Sequence, residues 1–269
     1  MAMYEGFYEL SATPFTKGIP CESLYFPPEL TEVISRMKYV SQRRLFAVLT
    51  GDCGTGKTTV LRYLSETLDP HHYRMLYISD SKLTPRNFYR LLLEQLGVVS
   101  SWYCAEAKRQ LHEQLSIMKA VDNVTAVCVV DEGHLLSFEM LEEIRFLLNI
   151  KFDSYNPIAL IISGQSELWK QRLSLQKCAA IRQRIDIQSV LNHYDRSRTG
   201  DYIRHQLSYA GAQGDIFTEK AIDQIYDYST GIARTIDKVC TNVLIYGSQN
   251  RLRLIDDHAV KTVLEGEFY

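Results

Sequence analysis

No run of about 18 apolar residues occurs anywhere in the 269-residue chain, so no membrane-spanning helix is encoded. Net charge is also scarce. Thirty Lys and Arg against 32 Asp and Glu leave −2, and no overall positive field marks a nucleic-acid or membrane partner. Any such partner has to be met by a local patch. The first ten residues lack the basic start and apolar run of a secretory signal. Six cysteines, at 21, 53, 104, 128, 178 and 240, form no Cys-x-x-Cys pair and have no His at zinc-ligand spacing, which argues for reduced thiols rather than a metal. Together these absences predict a soluble, cytoplasmic protein without membrane insertion. What is present is a content of 46% hydrophobic and 11% aromatic residues, enough to bury one large domain or two unequal ones.

The N-terminal 45 residues hold Pro14, Gly18, Pro20 and Pro27-Pro28, which interrupt any long element, followed by a helical pattern over residues 29–41. Residues 1–45 therefore read as a segment lying on a core. From Phe46 the chain alternates between short Val- and Ile-rich strands (46–50, 75–79, 124–130, 158–163) and helices (57–68, 84–96, 106–118, 138–148). That alternation predicts an α/β domain over 46–191, a parallel sheet covered on both faces. Thr84 and Pro85 supply a cap and a first-turn proline for the second of these helices, and Gly97 ends it. Beyond Leu191 only helical patterns remain, near 195–209, 218–229, 234–247 and 256–265, so residues 192–269 are expected to form a small all-helical domain.

Gly51-Asp52-Cys53-Gly54-Thr55-Gly56-Lys57-Thr58 fits G-x-x-x-x-G-K-[ST] between a strand and a helix, the context a phosphate-binding loop requires. Glycines there let backbone N–H groups and a helix N-terminus face anionic oxygens, with Thr59 continuing the helix. Lys57 is expected on the β- and γ-phosphates of ATP, and the Thr58 hydroxyl on Mg2+. Cys53, inside the loop, reads either as an oxidation-sensitive thiol or as a small tolerated residue. The apolar strand Val127-Cys128-Val129-Val130 ends in Asp131-Glu132. A carboxylate so placed orients magnesium, and the next one polarises the attacking water.

With these motifs in place, the chain resembles the AAA+ ATPases of the ExeA type, a group that also takes in transposition helpers of the TnsC and MuB kind. The likeness extends to Tyr8 with Pro14-Phe15, to Asp131-Glu132-Gly133-His134-Leu135-Leu136, and to Ile162-Ser163-Gly164-Gln165-Ser166-Glu167-Leu168. It continues through Ile181-Arg182-Gln183-Arg184-Ile185 and Gly231-Ile232-Ala233-Arg234. It implies a P-loop NTPase (AAA+) fold with a helical lid. By position, Gln165 matches the sensor-1 polar residue, though a strand-end Gln also reads as a turn residue. Arg234 matches sensor 2, coupling nucleotide state to domain closure. Arg182 or Arg184 matches the arginine finger that acts on a neighbouring subunit's nucleotide, so hydrolysis is expected to be slow and assembly-dependent. The family commonly has Ala-Gln where this chain has Gly133-His134, and Pro where it has Ser166 and Ala233. His134 is placed either to sense the γ-phosphate or as a surface histidine.

The same resemblance implies a homo-oligomer, ring or filament, that binds double-stranded DNA and assists a transposase by selecting or marking target DNA. Arg36, Lys38, Arg43 and Arg44 before the first strand, with Lys82 and Arg86 after the second, are the expected contacts. The segment 170–205 adds eight Lys or Arg against three Asp. The alternatives are an ATPase assisting assembly of a secretion or envelope complex, and a slow nucleotide-gated scaffold.

Overall fold

The structure is a computed structural model that describes residues 3–80, 82–148 and 156–267. In chain order its first elements are α1 (Met3–Phe7), α2 (Pro28–Arg43), β1 (Phe46–Gly51), α3 (Lys57–Thr67), β2 (Tyr73–Ile78), α4 (Pro85–Gln95), α5 (Cys104–Ala120) and β3 (Thr125–Val130). They are followed by α6 (Phe138–Leu147), β4 (Ala159–Gly164), α7 (Ala179–Arg182), β5 (Ile187–Leu191), α8 (Arg196–Tyr209), α9 (Glu219–Ser229), α10 (Ala233–Gln249) and α11 (Asp257–Glu267). A short π-helical stretch, Leu168–Leu173, follows β4.

Two compact units result. The first comprises Pro28–Asp52 and Lys57–Leu191, the second Met1–Pro27, Cys53–Gly56 and Asn192–Tyr269. In the first, five parallel strands run in the order β2-β3-β4-β1-β5. β1, β3 and β4 are buried along their whole length, which is why they read as continuous apolar runs. On one face Phe46, Val48, Cys128, Val130, Leu160 and Ile162 pack with Phe88, Leu111 and Ile144 of the covering helices. α2 packs against β4, β5 and α3. This order sets β4 between β1 and β3, so the segments leaving all three carboxyl ends converge on one edge of the sheet.

α4 forms where the sequence places it. Thr84 accepts a hydrogen bond from the Asn87 N–H at 3.3 Å, and Pro85 occupies the first turn, where its missing N–H costs nothing. β5 is the strand that alternation alone does not reveal. Gln188 and Ser189 break its apolar run, and it is held at the sheet edge by its register with β1.

The second unit buries Ile203, Ile222, Ile225, Ile236, Val243 and Val260 in a helical core. The expectation of a single N-terminal segment over 1–45 is corrected here, because the chain divides at Pro27. Tyr4, Tyr8, Leu10 and Phe15 enter the helical core, and the Tyr8 hydroxyl donates to the Leu252 carbonyl at 2.9 Å. Residues 28–43 instead bury Leu30, Val33, Met37 and Val40 as part of the α/β unit.

Candidate nucleotide site

The phosphate loop turns on two glycines in the left-handed region, Gly54 at φ +87° and Gly56 at φ +98°. Only glycine takes such angles without a Cβ penalty. A Cβ on Gly56 would meet nothing within 4 Å, so the concave side of the loop is open there. Lys57, the first residue of α3, is buried, and its Nζ donates to the carbonyls of Gly51 at 2.8 Å and Asp52 at 2.9 Å. The ammonium is thus anchored within the loop, at the mouth of a helix whose free N–H groups face out. Thr58 and Thr59 occupy the next two positions of α3.

Asp131 follows β3 and is buried, at 4% exposure. Its Oδ2 lies 3.5 Å from Thr58 Oγ1, and its Oδ1 accepts the Glu132 N–H at 2.9 Å. Two hard oxygens at that spacing can both face one ion, since magnesium–oxygen distances are about 2.0–2.1 Å. Among the described residues no cluster of three or more His, Cys, Asp or Glu exists. This donor set fits magnesium, which keeps most of its shell as water and phosphate, and fits poorly with zinc.

Glu132 stands in the left-handed region at φ 53°, ψ 33°. A non-glycine residue there is uncommon and marks local constraint. Its carboxylate is half exposed, with Oε2 3.4 Å from His134 Nδ1. The same ring nitrogen lies 3.5 Å from the Gln165 backbone N–H, the first group beyond β4. His134 therefore stands between Glu132 and Gln165. Gly133 is demanded by packing, because a Cβ there would lie 2.3 Å from Ile162 Cγ2. An alanine, common in the resembled family, would not fit this arrangement without movement.

Two contacts had no signal in the sequence. Ser166 Oγ donates to Asp52 Oδ1 at 2.6 Å, tying the end of β4 to the phosphate loop where a proline could not donate. The Tyr77 hydroxyl donates to Asp131 Oδ2 at 2.9 Å, and burial, then that carboxylate, pushes its phenol up to about 12. Tyr77 sits in a strand pattern and reads there only as a β-former.

Within the second unit, the Arg234 N–H donates to the Gly54 carbonyl at 3.2 Å and its guanidinium lies 3.3 Å from Cys53 Sγ. One turn along α10, burial pushes the Asp237 carboxyl up to about 6, against the Tyr202 hydroxyl, which donates at 2.7 Å, and the Arg234 charge.

The other expected residues lie elsewhere. Arg182 donates to the carbonyls of Leu173 and Ser174 at 2.9 and 2.8 Å, and Arg184 lies just past α7. Of the proposed DNA contacts, Arg36 pairs with Glu32, Lys38 lies over the Tyr63 ring, and Arg43 lies over Tyr39. Arg44, at φ 55°, ends α2's turn into β1. Arg86 stacks at 3.6 Å over Trp102, and Lys82 is exposed before α4. Arg36, Lys38 and Arg43 lie on α2, over β4 and β5, with Arg44 just past it, while Arg86 lies on α4, which packs on β2 at the other edge of the sheet, with Lys82 just before it. They do not make one patch. Part of the basic excess over 170–205 is engaged locally: Arg172 donates to the Leu136 carbonyl, Arg196 pairs with Asp223 and Glu219, and Arg204 pairs with Glu219.

Residues 40–171 match the family described as an AAA domain. Over 248 residues the chain is 31% identical to general secretion pathway protein A of Aeromonas hydrophila, a match covering 90% of this chain and 44% of that protein. The chain thus spans less than half the length of this relative. Among solved structures, Cdc6p of Pyrobaculum aerophilum superposes with a TM-score of 0.71 at 17% identity, covering 93% of this chain and 69% of that one. The RuvB Holliday junction branch migration motor of Thermotoga maritima gives 0.60 at 15% identity, over 88% and 67%. At such identities the likeness establishes fold. The chain has a P-loop AAA fold, a five-stranded parallel sheet followed by a helical C-terminal region, as the alternation, the phosphate loop and the family resemblance together imply.

Proposed function

We propose that this chain is an ATPase whose nucleotide state controls its assembly with copies of itself, in the service of a secretion or envelope complex. The observation that carries the ATPase reading is the pairing of Asp131 with Thr58 at 3.5 Å beside a phosphate loop anchored by Lys57. Lys57 and the loop N–H groups bind the β- and γ-phosphates of ATP. Thr58 and Asp131 hold magnesium, which supplies neutralisation of charge on the phosphate oxygens. Glu132 takes a proton from the attacking water as ATP and H2O become ADP and phosphate. Gln165 or His134 reports the γ-phosphate, and Arg184 or Arg182 serves the neighbouring subunit's nucleotide. The secretion role is supported by the 31% identity, over 90% of this chain, to a relative named for general secretion. No helix of the described residues is long and apolar enough to cross a membrane.

A second reading, an ATP-controlled DNA-binding oligomer that marks target DNA for a transposase, is favoured by one feature, the Arg86 guanidinium stacked on an exposed Trp102. Light scattering with ATP, ADP or no nucleotide, with and without duplex DNA at several salt concentrations, separates the two. The secretion reading expects assembly that needs ATP and no DNA. Binding to DNA that requires ATP and weakens steeply with salt would overturn it in favour of the second reading.

A further inference from the structure

β2 is an edge strand, hydrogen-bonded to β3 alone. Unpaired edge groups invite other chains, and proteins cover them. Here one side chain covers the edge at Tyr77. Gln95, the last residue of α4, accepts the Tyr77 N–H on its Oε1 at 2.9 Å and donates from its Nε2 to the Tyr77 carbonyl at 3.0 Å. The amide pairs with Tyr77 as a neighbouring strand residue would, and fixes the backbone of that one position. A second tie holds the same corner, Arg74 donating to the Gln95 carbonyl at 3.2 Å.

From that fixed backbone the Tyr77 hydroxyl reaches Asp131 Oδ2 at 2.9 Å. The other oxygen of Asp131 accepts the Glu132 N–H at 2.9 Å. With both oxygens engaged, the carboxylate plane cannot turn, and Oδ2 stays directed toward Thr58 Oγ1. We infer that Tyr77, clamped by Gln95, is a positioning residue that holds the Asp131 carboxylate in the orientation required to share a magnesium ion with Thr58. This rests on the ATPase reading above. Partners that orient a metal ligand have a known scale: their loss typically costs about 10- to 100-fold in metal affinity or activity. The hydroxyl supplies no charge and no ligand of its own, so its loss is expected near the lower end.

The test is the magnesium dependence of nucleotide binding, read by titrating a fluorescent ATP analogue into the full chain with and without MgCl2. Tyr77→Phe keeps the ring and removes only the hydroxyl. It is expected to need about tenfold more Mg2+ for half of the metal-dependent gain in affinity, while affinity in EDTA and the thermal melting curve stay as in the wild type. Gln95→Ala is expected to shift the requirement in the same direction by a smaller factor. An unchanged Mg2+ requirement in Tyr77→Phe, with Asp131→Ala having lost it, overturns the positioning role and leaves the ATPase reading standing. So does an equal loss of affinity with and without the metal, which would place Tyr77 on the nucleotide instead. A wild-type chain that binds the analogue with no response to Mg2+ overturns the ATPase reading and the inference together.

Discussion

The N–H of Arg234 donates to the Gly54 carbonyl at 3.2 Å, and Gly54 can have no side chain because a Cβ there would stand 2.9 Å from the Cβ of Arg234. The tip of the phosphate loop and the start of α10 are thus fitted backbone to backbone. Gly54 is also at φ +87°. Gly54→Ala should therefore suffer twice, from a left-handed backbone costing roughly 1–2 kcal/mol and from the displaced Arg234. The expected result is a loss of about tenfold or more in ATP affinity, since about 1.4 kcal/mol is tenfold. Arg234→Ala keeps the backbone bond and is expected to bind ATP more tightly than Gly54→Ala. Titration with a fluorescent nucleotide checks the order; the reverse ranking would show that the guanidinium, not the loop conformation, governs binding.

Lys57→Ala and Glu132→Gln should separate binding from chemistry. Lys57 is buried in the loop with its ammonium on the carbonyls of Gly51 and Asp52, so its removal takes away the positive charge facing the terminal phosphates. Nucleotide affinity should fall. Glu132 is half exposed just past β3 and in the proposed reaction acts only on water, so Glu132→Gln should bind ATP as the wild type does and hydrolyse it about 100-fold or more slowly, the scale of a lost general base. Equal losses of affinity in both variants would reject these roles.

Much of this arrangement is legible from residues alone, for physical reasons that differ by element. The phosphate loop is legible because its chemistry forces residue types at fixed spacing, and α4 because Thr84 and Pro85 act locally on the first turn. β1, β3 and β4 show through because burial on both faces leaves long apolar runs, with Thr50, Thr125 and Ser163 the polar residues and each at or near a strand end. β5 escapes since Gln188 and Ser189 interrupt it, and pairing with β1, not propensity, makes it a strand. Tyr77 escapes because its role depends on which strand neighbours β3, a fact of topology. The division at Pro27 is hidden for the same reason, since Tyr8 meets Leu252 across most of the chain's length.

Arg182 and Arg184, indistinguishable by position in the sequence, should now part. The Arg182 guanidinium donates to two carbonyls, of Leu173 and Ser174, and hydrogen bonds from charged groups contribute about 1.5–3 kcal/mol each. Arg182→Ala is expected to lower the melting temperature by several degrees and to lose activity with it. Arg184→Ala is expected to bind ATP normally and to lose the rise of specific activity with protein concentration that a finger acting on a neighbour produces. Specific activity measured across a range of protein concentrations decides this. A flat wild-type profile would eliminate a finger acting between subunits.

The stability of the helical unit should carry the titration of Asp237. Burial pushes this carboxyl up from 3.8 to about 6, and the Tyr202 hydrogen bond and the Arg234 charge only partly oppose it. A raised folded-state value means that the native state holds its proton more tightly than the unfolded chain. The stabilisation this gives is complete below about pH 3.8, declines as pH rises through the interval, and is gone above about pH 6. A shift of about 2 units corresponds to about 3 kcal/mol between the two limits. Asp237→Asn removes the proton while keeping an oxygen that accepts from Tyr202, whose hydroxyl now donates at 2.7 Å. The variant should therefore match the wild type near pH 4 and exceed it at pH 7.5 by several degrees in melting temperature. Thermal unfolding followed by circular dichroism at half-unit steps of pH gives the comparison. If the wild-type decline between pH 4 and 6.5 persists unchanged in Asp237→Asn, the titrating group lies elsewhere and Asp237 is ionised in the native state at no cost.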